Sequence, residues 1–189
     1  IEQLTAEGVN VNVTLLFSVR RYEEIADAYI RGLEQRVRQK APIDEISSVA
    51  SFFVSRVDTL VDKLLEARLS SATSQADEKK IKSLIGKAAV ANAKVAYRRY
   101  REIFSEKRFL ALTQAHVQKI LWGSTGTKNP LYSDLKYVDE LIGRDSINTL
   151  PDATLKAFMD RGKSEITIDR GLEEAGKVFP ALKAAGVDI

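Results

Sequence analysis

The sequence predicts a parallel β/α protein built as part of an eightfold barrel. Three observations carry that expectation. Short apolar stretches rich in Val, Ile and Phe alternate with segments of helical periodicity, the pattern of parallel strands joined by helical crossovers. No GxGxxG turn follows the first strand, which weakens the doubly wound dinucleotide-binding alternative. Polar residues stand at the C-terminal end of each strand: Ser18, Ser55 with Arg56, Ser124 to Lys128, and Asn148 with Thr149. In a β/α barrel those ends form the mouth of the active site.

Taken in order, IEQLTAEG at the start reads as the last turns of a helix closed by Gly8. VNVNVTLLFS, residues 9–18, is the first strand. Val9, Val11 and Val13 alternate with Asn10, Asn12 and Thr14, so amides and a hydroxyl face one way and valines the other. Ser18 caps a helix to about Gln39, with Tyr22, Ile25, Ala26, Tyr29, Ile30 and Leu33 at helical spacing. KAPID breaks it. Residues 46–56 are the second strand, and residues 57–69 a short amphipathic helix. A long helical stretch over residues 78–114 is expected, divided near Ser105, which suits an N-cap. Residues 119–124 form the third strand. Ser133 caps a helix ended by Gly143. Residues 145–150 form the fourth strand, and Pro151 opens a helix to about Arg161. SEITI, residues 164–168, has a strand pattern, and a helix from Gly171 is broken by Pro180. Residues 1–189 are expected to form one partial barrel domain cut at both ends, leaving strand edges open to self-association.

The totals exclude several function classes. No cysteine is present, which removes disulfides and thiolate chemistry and fits a reducing compartment. One histidine rules out a His-rich metal site. A net charge of +3 does not argue for nucleic acid. No apolar run approaches the roughly 20 residues that span a bilayer.

The candidate residues divide between chemistry and plain architecture. Arg56 at a strand's end suits a phosphate, or else is a solvated Arg or one paired with Asp58 or Asp62. Lys128, in STGTKN, suits a phosphate or carboxylate, or is part of a polar turn; the spacing is not that of a P-loop. Its open loop argues against a Schiff-base role. YRRYREIF, residues 97–104, mixes rings with arginines, but Tyr97, Tyr100 and Phe104 share one helical stripe, which points to the core rather than a nucleic acid. His116 precedes a strand, away from the expected mouth. No carboxylate pair for acid–base work is visible on the strands.

NVNVTLLFS (10–18), SVASFFVSRVDTLVD (48–62), GKAAVANAK (86–94) and LWGSTGTKNPLYSD (121–134) resemble, in order and spacing, the blocks of the transaldolase family. The similarity is greatest to the longer-helix bacterial group that also occurs fused to phosphoglucose isomerase. The resemblance implies a (β/α)8 TIM barrel of the class I aldolase type, present here as roughly its second half. It implies a cytoplasmic transferase of the non-oxidative pentose phosphate pathway, moving a dihydroxyacetone unit between sugar phosphates through a lysine Schiff base. A fructose 6-phosphate aldolase-like enzyme and a non-catalytic phosphosugar-binding fragment are the alternatives. The family's pattern assigns Asn12 to the dihydroxyacetone moiety, Thr14 to the catalytic water, Ser51 to the substrate's dihydroxyacetone end and Arg56 to its phosphate. Lys128, with Ser124 or Thr125 beside it, supplies a second phosphate contact. The Schiff-base lysine belongs to a strand upstream of this chain, so the resemblance implies that this chain alone is inactive. No cofactor, metal, nucleic acid or membrane is implied.

Overall fold

A computed structural model describes all 189 residues. It holds a four-stranded sheet in the order β1 (Val11–Leu16), β2 (Ser48–Phe53), β3 (Lys119–Gly123), β4 (Ser146–Asn148). β1 and β2 pair in parallel, as do β3 and β4. Strands that neighbour in sequence order, joined through helices, are the arrangement of a partial β/α barrel. No helix is long and apolar enough to cross a membrane.

The chain divides into two compact units. The first comprises Ile1–Phe52, Ala96–Gly123 and Asp145–Asn148, and so holds every sheet residue except Phe53. In it α1 (Glu2–Ala6) packs on α2 (Val19–Arg38). Ser18 caps α2 as its sequence predicts, its Oγ accepting the Arg21 N–H. Tyr22, Ala26, Tyr29 and Leu33 form one fully buried stripe of that helix. The rings of Tyr97, Tyr100, Phe104 and Phe109 stack in series and are buried, which settles YRRYREIF as core. Arg99 pairs outward with Glu23 and Glu102.

His116 also has an architectural place. Its Nε2–H donates to the Asp44 carbonyl at 2.6 Å, while its own carbonyl accepts the Tyr29 hydroxyl at 2.9 Å. The Tyr29 hydroxyl also lies 3.3 Å from the Ile46 carbonyl. Tyr29→Phe is therefore expected to cost roughly 1 kcal/mol, read as a lower urea midpoint at unchanged m. Burial pushes the Tyr29 hydroxyl from 10.0 up to about 12. A raised value means its contribution is complete below the unfolded value and is lost as pH climbs through the folded one. The wild type should thus lose more stability than Tyr29→Phe between pH 10 and about 12.

The second unit comprises Phe53–Val95, Ser124–Arg144 and Thr149–Ile189. Its core joins Val61 and Leu65 of α3 (Ser55–Leu69), Ile81 of α4 (Gln75–Lys82), Ala88 at the head of α5 (Ala88–Ser105) and Leu182 of the last helix. α6 (Lys107–Leu110) belongs to the first unit, whereas α7 (Lys136–Glu140), α8 (Asp152–Arg161) and α9 (Leu172–Ala184) belong to the second.

Several sequence expectations are corrected. β2 stops at Phe53 and α3 begins at Ser55, so Arg56 lies in a helix's first turn rather than on a strand. The helical stretch over 78–114 is three helices, because Gly86 at φ +72° breaks it as well as the junction near Ser105. Ser105 ends α5 instead of capping α6: its Oγ donates to the Arg101 carbonyl. Ser133 opens only a turn, and α7 starts at Lys136. Residues 164–168 form no strand; the Thr167 and Ile168 N–H groups both reach the Ile142 carbonyl, and Ile168 is buried. Pro180 sits inside α9, which continues through it because Leu182, Ala185 and Val187 are anchored in the core.

Candidate functional site

The first unit brings two of the expected residues into contact. Asn12 on β1 and Ser51 on β2 lie on adjacent strands, and the Ser51 Oγ donates to Asn12 Oδ1 at 2.7 Å. Ser51 is buried, while Asn12 stays exposed. That bond leaves the Asn12 amide N–H groups available to a ligand's oxygens. Thr14, two residues on, is also exposed. Beyond it the strand is irregular: Leu15 has φ +62°, and the register shifts between Val13 and Leu16. Asn10 has a different place. It is exposed, and its Oδ1 accepts the Ser47 N–H at 2.7 Å, which fixes the entry into the β1–β2 pair.

In the second unit Ser124 and Ser55 are tied twice. The Ser55 N–H donates to the Ser124 carbonyl at 3.0 Å, and the two hydroxyls are 3.0 Å apart. Ser124 holds a left-handed backbone at φ +55°, a conformation that a serine adopts only where its surroundings enforce it. Thr125 is fully buried. Arg56 is exposed with its guanidinium 5.1 Å from the Phe53 ring centre, and it takes neither Asp58 nor Asp62 as a partner. Lys128 is exposed and makes no ion pair. It lines a cavity of about 170 Å³ with Asp58, Thr59, Asp62, Lys63, Glu66, Asn129, Tyr132 and Tyr137. Arg56, Ser124 and Thr125 do not line that cavity. Most other arginines are engaged with carboxylates, among them Arg31, Arg99, Arg108, Arg161 and Arg170. The two cations predicted to meet phosphate are thus both left without a carboxylate.

Sequence reasoning passed over a buried polar cluster under this cavity. Asp58 Oδ1 accepts the Ala89 N–H at the head of α5 at 2.7 Å. Its Oδ2 accepts Lys136 Nζ at 3.0 Å and the Tyr137 hydroxyl at 2.9 Å. Asp62 Oδ1 accepts the Gly86 N–H at 2.7 Å, and Oδ2 the Tyr132 hydroxyl at 2.5 Å. Lys136 also donates to the Gly86 carbonyl at 2.6 Å and sits 3.6 Å over the Tyr132 ring. A Cβ at Gly86 would fall 2.7 Å from the Tyr132 oxygen and 2.8 Å from Lys136 Nζ, so only glycine fits there. Burial first, and then the adjacent carboxylates, push both tyrosine hydroxyls well above their ordinary 10.0. They are neutral donors at physiological pH. The readable signal was the spacing: Asp58 and Asp62 fall within the same helical stripe as Val61 and Leu65. No group of His, Cys, Asp and Glu is arranged to hold a metal ion.

Parallel strands with helical crossovers and polar side chains following the strands define a β/α-barrel protein. A family profile described as Transaldolase/Fructose-6-phosphate aldolase matches residues 1–189. The chain belongs to that family. It is 46% identical over 192 residues to Transaldolase 2 of Nostoc sp. (strain PCC 7120 / SAG 25.82 / UTEX 2576). It is also 46% identical over 197 residues to Transaldolase of Saccharopolyspora erythraea, and over 193 residues to Transaldolase of Mycobacterium tuberculosis (strain CDC 1551 / Oshkosh). Each alignment covers 100% of this chain and 50% of the relative, so the chain spans about half the length of the curated relatives it matches.

Proposed function

We propose that this chain is part of a transaldolase, moving a dihydroxyacetone unit from sedoheptulose 7-phosphate to glyceraldehyde 3-phosphate and leaving erythrose 4-phosphate and fructose 6-phosphate. The observation that carries the reading is the family match along all 189 residues, joined to relatives named Transaldolase. The substrate's ketone condenses with a lysine amine outside these residues, losing water. The protonated imine then accepts the electron pair of the breaking carbon–carbon bond, a role that a Lewis-acid metal fills in other aldol chemistry. This chain's own residues bind and orient. Asn12, held by Ser51, presents its amide to the dihydroxyacetone hydroxyls. Thr14, exposed beside it, holds the water that hydrolyses the imine. Arg56 and Lys128, both exposed and without carboxylate partners, take phosphate oxygens, with Ser124 in the same loop as Lys128; Thr125, also expected there, is fully buried and is not placed to meet a ligand. A cytoplasmic location belongs to the same reading.

The test is imine trapping. The 189-residue chain with fructose 6-phosphate, erythrose 4-phosphate and borohydride is expected to yield no labelled lysine, and no turnover. A labelled lysine among these residues would overturn the assignment of the nucleophile. The family description also names fructose-6-phosphate aldolase. In a protein that holds the nucleophile, the aldolase reading requires cleavage of fructose 6-phosphate without an aldose acceptor, whereas the transaldolase reading requires the acceptor.

A further inference from the structure

We propose that Tyr132 is a positioning residue for Lys128: its hydroxyl, bound to Asp62, tethers the loop after β3 to α3 and keeps the Asp62 carboxylate from capturing the Lys128 ammonium. The inference rests on the proposed function, because it takes Lys128 as the phosphate contact. The loop is anchored on both sides of Lys128. Upstream, Ser124 is bound twice to Ser55. Downstream, the Tyr132 hydroxyl reaches Asp62 Oδ2 at 2.5 Å. Between them the chain makes one tight turn. The Leu131 N–H donates to Asn129 Oδ1 at 2.9 Å, and the Tyr132 N–H to the Asn129 carbonyl at 3.1 Å. Asn129 to Tyr132 therefore move together, and Lys128 is the residue before them.

The far end of the tether is rigid. Asp62 is buried, and its other oxygen is held by the Gly86 N–H. Lys136 packs on the Tyr132 ring. The loop itself lends little: Leu131 is 88% exposed. Electrostatics gives the hydroxyl its second task. Lys128 shares its cavity with Asp58, Asp62 and Glu66. Asp58 is held by three donors, from Ala89, Lys136 and Tyr137, and each oxygen of Asp62 by one, from Gly86 and Tyr132. Without the Tyr132 hydroxyl, Asp62 Oδ2 loses its one donor in a cavity that Asp62 and Lys128 line together, and an ion pair there would compete with a phosphate.

The test compares fructose 6-phosphate binding, by calorimetry on the 189-residue chain, with amide exchange over residues 127–133. Tyr132→Phe keeps the ring under Lys136. It is expected to weaken binding about five- to tenfold and to speed exchange in the loop while leaving α3 protected. Asn129→Ala removes the turn without touching the core and is expected to do the same, so the outcome does not hang on one variant's folding. Adding Asp62→Asn to Tyr132→Phe removes the competing charge and should restore part of the affinity, which a merely structural role would not do. Unchanged binding and unchanged exchange in Tyr132→Phe overturn the proposal. A wild-type chain that fails to bind the sugar phosphate overturns the functional reading instead, and exchange alone then decides the tether.

Discussion

Asp58→Ala is expected to remove roughly 3–5 kcal/mol of folding stability, the usual consequence of deleting one partner of a buried ion pair. Asp58 is 1% exposed, and three donors from three places in the chain converge on it: the Ala89 N–H, the Lys136 ammonium and the Tyr137 hydroxyl. Alanine leaves the buried Ala89 N–H and Tyr137 hydroxyl, and the partly buried Lys136 ammonium, without that acceptor and opens a cavity where the carboxylate stood. Lys136 keeps the Gly86 carbonyl and the Tyr132 ring, which moderates its share. The Ala89 N–H has no such alternative, because it is one of the donors that a helix's first turn cannot satisfy internally. Asp58→Asn, which retains a carbonyl oxygen for Ala89 but no charge for Lys136, should lose less than alanine. Urea denaturation of both variants reads the difference. A loss under about 1 kcal/mol for Asp58→Ala would show that the cluster relaxes and that its geometry is not a constraint on α3. Hydrogen exchange should localise the damage to α3, the start of α5 and α7, leaving the Tyr29 and His116 bonds of the first unit protected.

That cluster also marks where reading from sequence stopped. Periodicity was enough for α2, because Ser18 begins it with a side-chain cap and its apolar spacing runs without interruption from Tyr22 to Leu33. It was enough for Tyr97, Tyr100 and Phe104, whose spacing outweighed the arginines between them. The contact of Asn12 with Ser51 was accessible only through the family pattern, since nothing local says that these two strands are neighbours in that register. The sequence offers Asp58 and Asp62 as nearby partners for Arg56, and their true partners at Gly86, Ala89, Tyr132, Lys136 and Tyr137 are hidden because they lie 24 to 79 residues away. Arg56 was placed on a strand because Phe52, Phe53 and Val54 continue the apolar run. The backbone turns helical at Ser55, where the Ser55 N–H is taken by Ser124 instead of by a neighbouring strand position. The missing N–H of Pro180 predicts a break, yet core anchorage of Leu182 outweighs one lost helical bond.

Arg56→Ala is expected to weaken sugar-phosphate binding roughly 10- to 150-fold, the range spanned by about 1.5–3 kcal/mol for hydrogen bonds to a charged group. Arg56 is left unneutralised by its own helix. It shares α3 with Asp58 and Asp62, yet both carboxylates are turned inward to Lys136, Tyr132 and Tyr137, so neither neutralises it. Its guanidinium rests near the Phe53 ring, a contact that orients the plane while leaving the N–H fork available. Because the side chain is exposed and forms no carboxylate pair, removing it should change the unfolding midpoint little, within about 0.5 kcal/mol. Affinity and stability are thereby separable at this position, which they are not at Asp58. Arg56→Lys tests geometry against charge. A lysine keeps the charge and loses the fork, so it should recover only part of the lost affinity, and binding should become weaker still with added salt. Calorimetry with fructose 6-phosphate measures all three proteins under one buffer. A less than twofold change in Arg56→Ala would remove Arg56 from the phosphate site and leave Lys128 as its sole proposed cation.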